Sequence, residues 1–132
     1  MTLQDRATFR SVILPSENTT AAQRAGKLLD ELGHEVSAAV NAEEAWNLLQ
    51  QEETDLLVVD VTDSSRNRDF LGRLMELPLL QRPRELAIFS EVADDSLRTL
   101  RSRISPSKVH VFLKPLHMHG LMRIIRKLQG EE

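Results

Sequence analysis

Four polar residues follow short apolar runs and could together handle a phosphoryl group. Asp60 ends the run LLVVD, Ser90 ends LAIFS, Lys114 ends VFLK, and Glu17 follows SVILPS. A carboxylate such as Asp60 can accept a phosphoryl group, whose oxygens a hydroxyl and an ammonium group then bind. Mg²⁺ takes oxygen ligands, which Glu17, Asp60 and a main-chain carbonyl near Thr62 would supply.

These residues can meet only if the apolar runs are strands of one parallel sheet. The run that ends at Asp60 is too short for a helix and fits a strand covered on both faces. Helical apolar spacing between the runs predicts alternating strands and helices, and the carboxyl ends of such strands are where ligands collect. The predicted strands are 11–14, 35–40, 56–60, 86–89 and 108–113. The predicted helices are 19–32, 42–51, 69–77, 95–103 and 117–129.

Local signals mark several of the helix ends. Asn18 can cap the first helix, although Ser16 competes for that role, and Gly33 is a natural residue to follow its last turn. Asn41 followed by Glu44 resembles a capping box at the start of the second helix. The residues from Val61 to Asn67 are mostly small or polar and predict a loop.

Composition limits the class of protein. The chain has 132 residues, a formal net charge of −3, 28% charged residues and no cysteine. These values predict one globular domain at 10–130 behind an N-terminal arm at 1–9, without disulfides. No apolar run approaches membrane-spanning length, and no aromatic-basic pattern suggests nucleic-acid binding. We therefore expect a cytoplasmic domain that binds neither membrane nor nucleic acid.

The chain resembles the receiver domain of two-component response regulators over about residues 10 to 129. The resemblance rests on Asp60 in LLVVD, Ser90 in LAIFS and Lys114-Pro115 in VFLKP, which stand in the family's order and spacing. It implies a flavodoxin-like (βα)5 fold, doubly wound around a parallel five-stranded sheet with strand order 2-1-3-4-5. It also implies phosphorylation of Asp60, Mg²⁺ as cofactor and, at Lys114-Pro115, a peptide bond that is often cis.

The resemblance also implies partners. A histidine kinase or a phosphotransfer protein would supply the phosphoryl group. An effector protein or domain would then bind the face built from the fourth helix, the fifth strand and the fifth helix. Homodimers through the last helix and its neighbours occur in this family, although no residue here demands one.

Three departures from the family pattern affect this interpretation. The usual pair of adjacent acids is Ser16-Glu17 here, so one carboxylate that would help to hold Mg²⁺ is missing. The loop after Asp60 lacks the usual proline, and Arg68 stands where a glycine is expected. The switch aromatic of the fifth strand is Val111, while Phe112 lies on the opposite pleat and is expected in the core.

Other polar residues leave alternatives open. Asp63 can replace the missing acid or face water. Arg98, Arg101 and Arg103 can form a solvated face or border a partner surface. His117 and His119 are two apart on a predicted helix and therefore point to different sides, which argues against a shared metal ion. The sole tryptophan, Trp46, is expected to be partly buried.

Two functional hypotheses follow. In the first, the chain is an atypical receiver that accepts a phosphoryl group on Asp60 and signals through a partner. In the second, it is a pseudo-receiver, a protein-protein interaction module that works without phosphorylation. An enzyme beyond self-phosphorylation and self-dephosphorylation has little support. The first turn has no glycine for a nucleotide site, and the chain has no G-x-S-x-G hydrolase motif.

Overall fold

Five strands alternate with five helices in the computed structural model, which describes residues 9–17, 20–62, 64–91, 95–104, 107–113 and 118–130. The strands are β1 (Arg10–Leu14), β2 (Glu35–Ala38), β3 (Leu56–Asp60), β4 (Glu85–Ser90) and β5 (Lys108–Leu113). The helices are α1 (Ala21–Glu31), α2 (Ala42–Gln51), α3 (Ser65–Arg73), α4 (Asp95–Arg103) and α5 (Met118–Leu128). Two short 3₁₀ helices, Leu74–Glu76 and Leu79–Gln81, lie between α3 and β4.

All five strands pair in parallel, in the order β2-β1-β3-β4-β5. The predicted fold class, a flavodoxin-like (βα)5 sheet with strand order 2-1-3-4-5, is confirmed. Because β3 is the central strand, its five residues are all buried, as the continuous apolar run predicts. The parallel pairing also places the carboxyl ends of β1, β3 and β4 at one edge of the sheet.

Strand alternation divides the core into two clusters, one on each face of the sheet. Leu57 and Val59 of β3 face the cluster that α2, α3 and α4 cover. Leu56 and Val58 face the cluster that α1 and α5 cover. The sheet is therefore enclosed on both sides, and its edges remain as the accessible rims.

Several element boundaries differ from the prediction. Helix α3 begins at Ser65 rather than 69, and it gives way to a 3₁₀ turn at Leu74. The predicted loop is thus shorter, because Ser64 caps the helix by accepting a hydrogen bond from the Asn67 N–H at 3.2 Å. Strand β2 ends at Ala38, and the side chain of Val40, which was expected in the strand, is 82% exposed.

The predicted helix ends are partly confirmed. Asn41 accepts a hydrogen bond from the Glu44 N–H at 2.9 Å, and the Glu44 carboxylate accepts one from the Val40 N–H. Gly33 has a φ of 87°, the left-handed conformation that glycine adopts at least cost after a helix. Helix α1 begins at Ala21 with Thr20 in the N-cap position, so Ser16 does not occupy it; Asn18 lies outside the described residues.

A buried arginine ties the start of β1 to the end of α2. The Arg10 guanidinium donates to the carbonyls of Leu48 and Glu52, both at 3.1 Å, and to the Thr54 hydroxyl at 2.9 Å. The Glu52 carboxylate lies 3.1 Å from its Nε. These bonds satisfy carbonyls that the last turn of a helix leaves without partners, and they fix the connection into β3.

A second cluster joins the start of β1, the turn after α1 and the end of α5. The ring of His34 stacks on Phe9 with centroids 3.8 Å apart, and its Nδ1 accepts a hydrogen bond from the Phe9 N–H. Its Nε2 lies 2.7 Å from the side-chain amide of Gln129. Because Nδ1 accepts the Phe9 N–H, the ring is in its neutral form, and it links the start of β1 to Gln129 beyond α5.

We predict that acid destabilises the protein through His34. Burial lowers the pKa of His34, although the charge of Asp55 opposes this effect. Because the folded-state pKa is below the ordinary value of 6.5, the unfolded chain binds more protons as the pH falls through 6.5. The stabilisation from neutral His34 is therefore complete above pH 6.5 and is lost as the pH falls towards the folded-state pKa.

Urea midpoints at pH 7.5 and pH 5.5, measured for the wild type and His34→Gln, check this prediction. The wild type should lose more stability between the two pH values than the variant does. Equal losses in the two proteins would contradict it.

We also predict a steric role for Gly120 in α5. A Cβ at this position would overlap the Phe112 ring. A Cβ at Gly72 in α3, by contrast, meets no atom within 4 Å. Gly120→Ala should therefore cost about 1–3 kcal/mol of unfolding free energy, because the ring must shift. Gly72→Ala should be neutral or stabilise by up to about 1 kcal/mol. Urea denaturation measures both, and Phe112→Leu should relieve the clash in the Gly120→Ala background.

Candidate functional site

The carboxyl edge of the sheet places Asp60 and Ser90 on neighbouring strands. Asp60 is the last residue of β3 and Ser90 the last residue of β4, and both are fully buried. Asp60 pairs in register with Phe89, so Ser90 lies one residue further along the adjacent strand. The structure therefore brings together two of the predicted site residues.

The Asp60 side chain is held by the loop that follows it. Its Oδ1 accepts a hydrogen bond from the Thr62 N–H at 2.9 Å, and the relative exposure of the residue is 0%. The bond from a carboxylate to the N–H two residues ahead is a local turn that aspartate forms readily. Asp60 thus stabilises its own loop, and its carboxylate presents no surface to solvent.

Ser16 connects the end of β1 to the loop after β3. Its hydroxyl donates a hydrogen bond of 2.7 Å to the main-chain carbonyl of Thr62, and the residue is only 3% exposed. This is the carbonyl that the sequence analysis predicted as a Mg²⁺ ligand. The interpretation of Ser16 as a helix cap is wrong because its hydroxyl reaches across to another strand end.

Asn67 makes the second connection between the same two strand ends. Its side-chain amide donates to the main-chain carbonyl of Asp60 at 2.8 Å and to that of Pro15 at 3.1 Å. The residue is 6% exposed and belongs to the first turn of α3. Both amide hydrogens are therefore used to hold β1 and β3 together at the carboxyl edge.

Two cavities open beside these connections. One, of about 430 Å³, is bordered by Ser16, Glu17 and Asn67 together with the starts of α2 and α3. The other, also about 430 Å³, is bordered by Thr62, Arg68 and Ser90. The Asp60 side chain borders neither, which agrees with its complete burial.

Two of the three oxygen ligands that the sequence predicts for Mg²⁺ already take part in hydrogen bonds, and the Mg²⁺ site itself stays a prediction. Of the three expected oxygen ligands, the Thr62 carbonyl accepts the Ser16 hydroxyl, and Asp60 accepts the Thr62 N–H without reaching the surface. Glu17, the third, is exposed. Within the described ranges, no group of three histidine, aspartate or glutamate side chains is placed to hold a metal ion.

Several predicted site residues lie outside the described residues. Lys114, expected to neutralise the phosphoryl oxygens, is among them, as are Asp63, Pro115 and His117. Their predicted roles, including the cis peptide bond at Lys114-Pro115 and the alternatives for Asp63, stay predictions. So does the argument against a metal ion between His117 and His119, since nothing is described of either side chain.

The fifth strand follows the sequence prediction. Val111 packs against the cluster under α2, α3 and α4, and Phe112 packs against the opposite cluster, with its ring 5.9 Å from that of Phe89. Trp46 is half-buried, as expected, and the Arg73 guanidinium lies 4.3 Å from its ring centroid. The position of the family's switch aromatic is therefore aliphatic, and the aromatic ring next to it packs in the core.

Solved structures of response regulators share this fold. A receiver domain protein (CheY-like) from Methanospirillum hungatei JF-1 has a TM-score of 0.70 and 16% identity, over 95% of this chain and 96% of that one. A response regulator from Thermotoga maritima has a TM-score of 0.65 and 23% identity, over 92% and 98%. A putative response regulator from Chloroflexus aurantiacus J-10-fl has a TM-score of 0.69 and 19% identity, over 94% and 99%.

The chain therefore has the CheY-like receiver fold. Neither a protein-family model nor a curated protein sequence matches it. At identities this low, the likeness to the solved structures extends to the fold alone. No described helix is both long and apolar enough to cross a membrane.

Asn67 is the site residue that the sequence analysis missed. It stood in the predicted loop without an assigned role, although a helix beginning at Ser65 places it in the first turn, over the end of β3. The signal that could have found it is Ser64 as an N-cap, which moves the helix start forward and turns Asn67 towards the sheet.

Proposed function

We propose that this chain is a pseudo-receiver, a signalling module with a receiver fold that acts by binding a partner protein and does not require phosphorylation. The observation that carries the proposal is the hydrogen bond from Ser16 to the Thr62 carbonyl. It puts a neutral protein group where a receiver that uses Mg²⁺ needs an acid and an available carbonyl oxygen. The complete burial of Asp60 supports the same conclusion, because a phosphodonor must reach this carboxylate.

The position of Val111 supports the proposal from a second direction. A receiver that signals through phosphate needs a side chain that can change place when the group arrives. Val111 is aliphatic and Phe112 packs beside Phe89, so the position of the family's switch aromatic carries no ring that could move.

We propose that the partner binds the face formed by α4, β5 and α5, and that its contact surface is acidic. Helix α5 contains no acidic residue, and its three basic side chains, Arg123, Arg126 and Lys127, are exposed. Arg101 and Arg103 of α4 are exposed as well. A chain of net charge −3 thus carries a basic surface here, and such a surface attracts an acidic partner and speeds its association.

Like charges crowd one end of this face. The nearby ammonium group of Lys127 lowers the pKa of Lys108, which is exposed at the start of β5. Both side chains border a cavity of about 350 Å³ at the amino edge of the sheet. An acidic partner would relieve this repulsion.

A second candidate function is the atypical receiver that accepts a phosphoryl group on Asp60. It is favoured by the placement of Asp60 and Ser90 at adjacent strand ends, which a carboxylate phosphoacceptor and its supporting hydroxyl require. In that case a histidine kinase or a phosphotransfer protein would be the donor.

Treatment with acetyl phosphate and Mg²⁺ separates the two functions. We predict that intact-mass spectrometry detects no phosphoryl adduct on the wild type, because the Asp60 carboxylate is not exposed. Asp60→Asn, which keeps the side-chain shape and an oxygen for the Thr62 N–H, is the matched control. An adduct that forms on the wild type and is absent from Asp60→Asn would establish the phosphoacceptor instead.

Partner binding tests the other half of the proposal. A partner captured from the source cells should bind the wild type and Asp60→Asn with equal affinity. Arg101→Glu and Arg126→Glu should weaken binding, and salt should weaken wild-type binding, since the attraction is between surface charges. Glu31→Lys, at the end of α1, is the control for a charge change elsewhere. Loss of binding in Asp60→Asn would contradict the proposal, as would insensitivity to both reversals on the basic face.

A further inference from the structure

We infer that Ser16 and Asn67 form a hydrogen-bonded bridge that takes the place of a divalent cation between the ends of β1 and β3. The inference rests on the proposed function and adds which residues make the site independent of metal. It also states what a single substitution would restore.

The bridge joins the same two strand ends that the predicted Mg²⁺ ligands would join. Ser16 brings the end of β1 to the carbonyl of Thr62, and Asn67 brings α3 to the carbonyls of Pro15 and Asp60. All three acceptors are main-chain oxygens at the ends of β1 and β3. The Thr62 carbonyl is the predicted Mg²⁺ ligand among them, and here a neutral hydroxyl donates to it.

Because its residues are buried, the bridge can hold the two strand ends together in place of a divalent cation. Ser16 and Asn67 are 3% and 6% exposed, so water competes little for their hydrogen bonds. A buried carbonyl left without a donor costs free energy, and each of these bonds avoids that cost. Both donors are uncharged, so they also avoid the penalty of burying an ion.

A serine in place of an aspartate at position 16 has two effects: it removes an acid, and it supplies the hydroxyl that forms the bridge. An aspartate at position 16 would place a carboxylate against the Thr62 carbonyl, where two oxygens repel each other. A cation bound between them would remove this repulsion, since Mg²⁺ prefers oxygen ligands and is commonly held by one or two carboxylates. The serine hydroxyl instead donates a hydrogen bond to the Thr62 carbonyl, so the two loops are joined without a metal ion.

The test compares the wild type, Ser16→Asp and Ser16→Ala by thermal unfolding in EDTA and in millimolar MgCl₂. Amide NMR with Mn²⁺ as a paramagnetic probe locates any bound ion. We expect the wild-type Tm to be the same in both buffers, with no Mn²⁺ broadening at Ser16 or Thr62. Ser16→Asp should have a lowered Tm in EDTA that rises in MgCl₂, with broadening at position 16 and Thr62.

Ser16→Ala should lose roughly 3–10 °C in Tm, because Thr62 loses a buried donor, and it should gain no Mg²⁺ response. Asn67→Asp, which keeps the side-chain shape and removes the amide donor, should also lower the Tm. Glu17→Gln should leave wild-type stability unchanged in both buffers. If Ser16→Asp does not fold, these variants still test whether Ser16 and Asn67 form the bridge.

Three results would overturn the inference: a Mg²⁺-dependent Tm in the wild type, a folded Ser16→Asp without a Mg²⁺ response, and a Ser16→Ala variant as stable as the wild type. Each is distinguishable from failure of the proposed function. That function fails on an Asp60-dependent phosphoryl adduct, which can occur whether or not Ser16 bridges the loops.

Discussion

The junction between the carboxyl ends of β1 and β3 constrains the rest of this structure. Main-chain carbonyls beyond the last ladder bond of a strand have no partner within the sheet, and when buried they need other donors or a cation. In this chain the donors are Ser16 and Asn67, which bind the carbonyls of Thr62, Asp60 and Pro15. The two loops are thereby held together by protein groups, and Asp60 at the end of β3 is fully buried.

The packing of the fold does not depend on the chemistry of the carboxyl edge. The central strand and both core clusters depend on apolar packing that does not involve the carboxyl edge. A serine at position 16, where the family pattern has an acid, is therefore compatible with an intact sheet. In the proposed function, the exposed basic residues of α4 and α5 bind an acidic partner protein.

Sequence patterns predicted the helices and strands because the signals for these elements are local. The strand order came from the family resemblance. The buried run at Leu56–Asp60, the cap at Asn41 and the turn at Gly33 each predict their structure from a few neighbouring residues. The start of α3 was mispredicted because Ser64 and Asn67 stand in a polar stretch without apolar periodicity.

The site was harder to predict because its contacts are long-range. Ser16 and Thr62 are 46 residues apart, and no local rule indicates that a serine hydroxyl will reach that carbonyl. Asp60 and Ser90 were placed correctly at adjacent strand ends because parallel pairing alone determines this relation. Lys114, the third side chain of the predicted phosphoryl site, lies outside the described residues.

The most direct measurement is a high-resolution crystal structure of the wild-type protein grown in MgCl₂. The account predicts that the Ser16 hydroxyl remains at hydrogen-bond distance from the Thr62 carbonyl, with the Asn67 amide on Pro15 and Asp60 and no ion between the two loops. An octahedral Mg²⁺ bound to the Thr62 carbonyl and the Asp60 carboxylate, with the Ser16 side chain turned away, would contradict it.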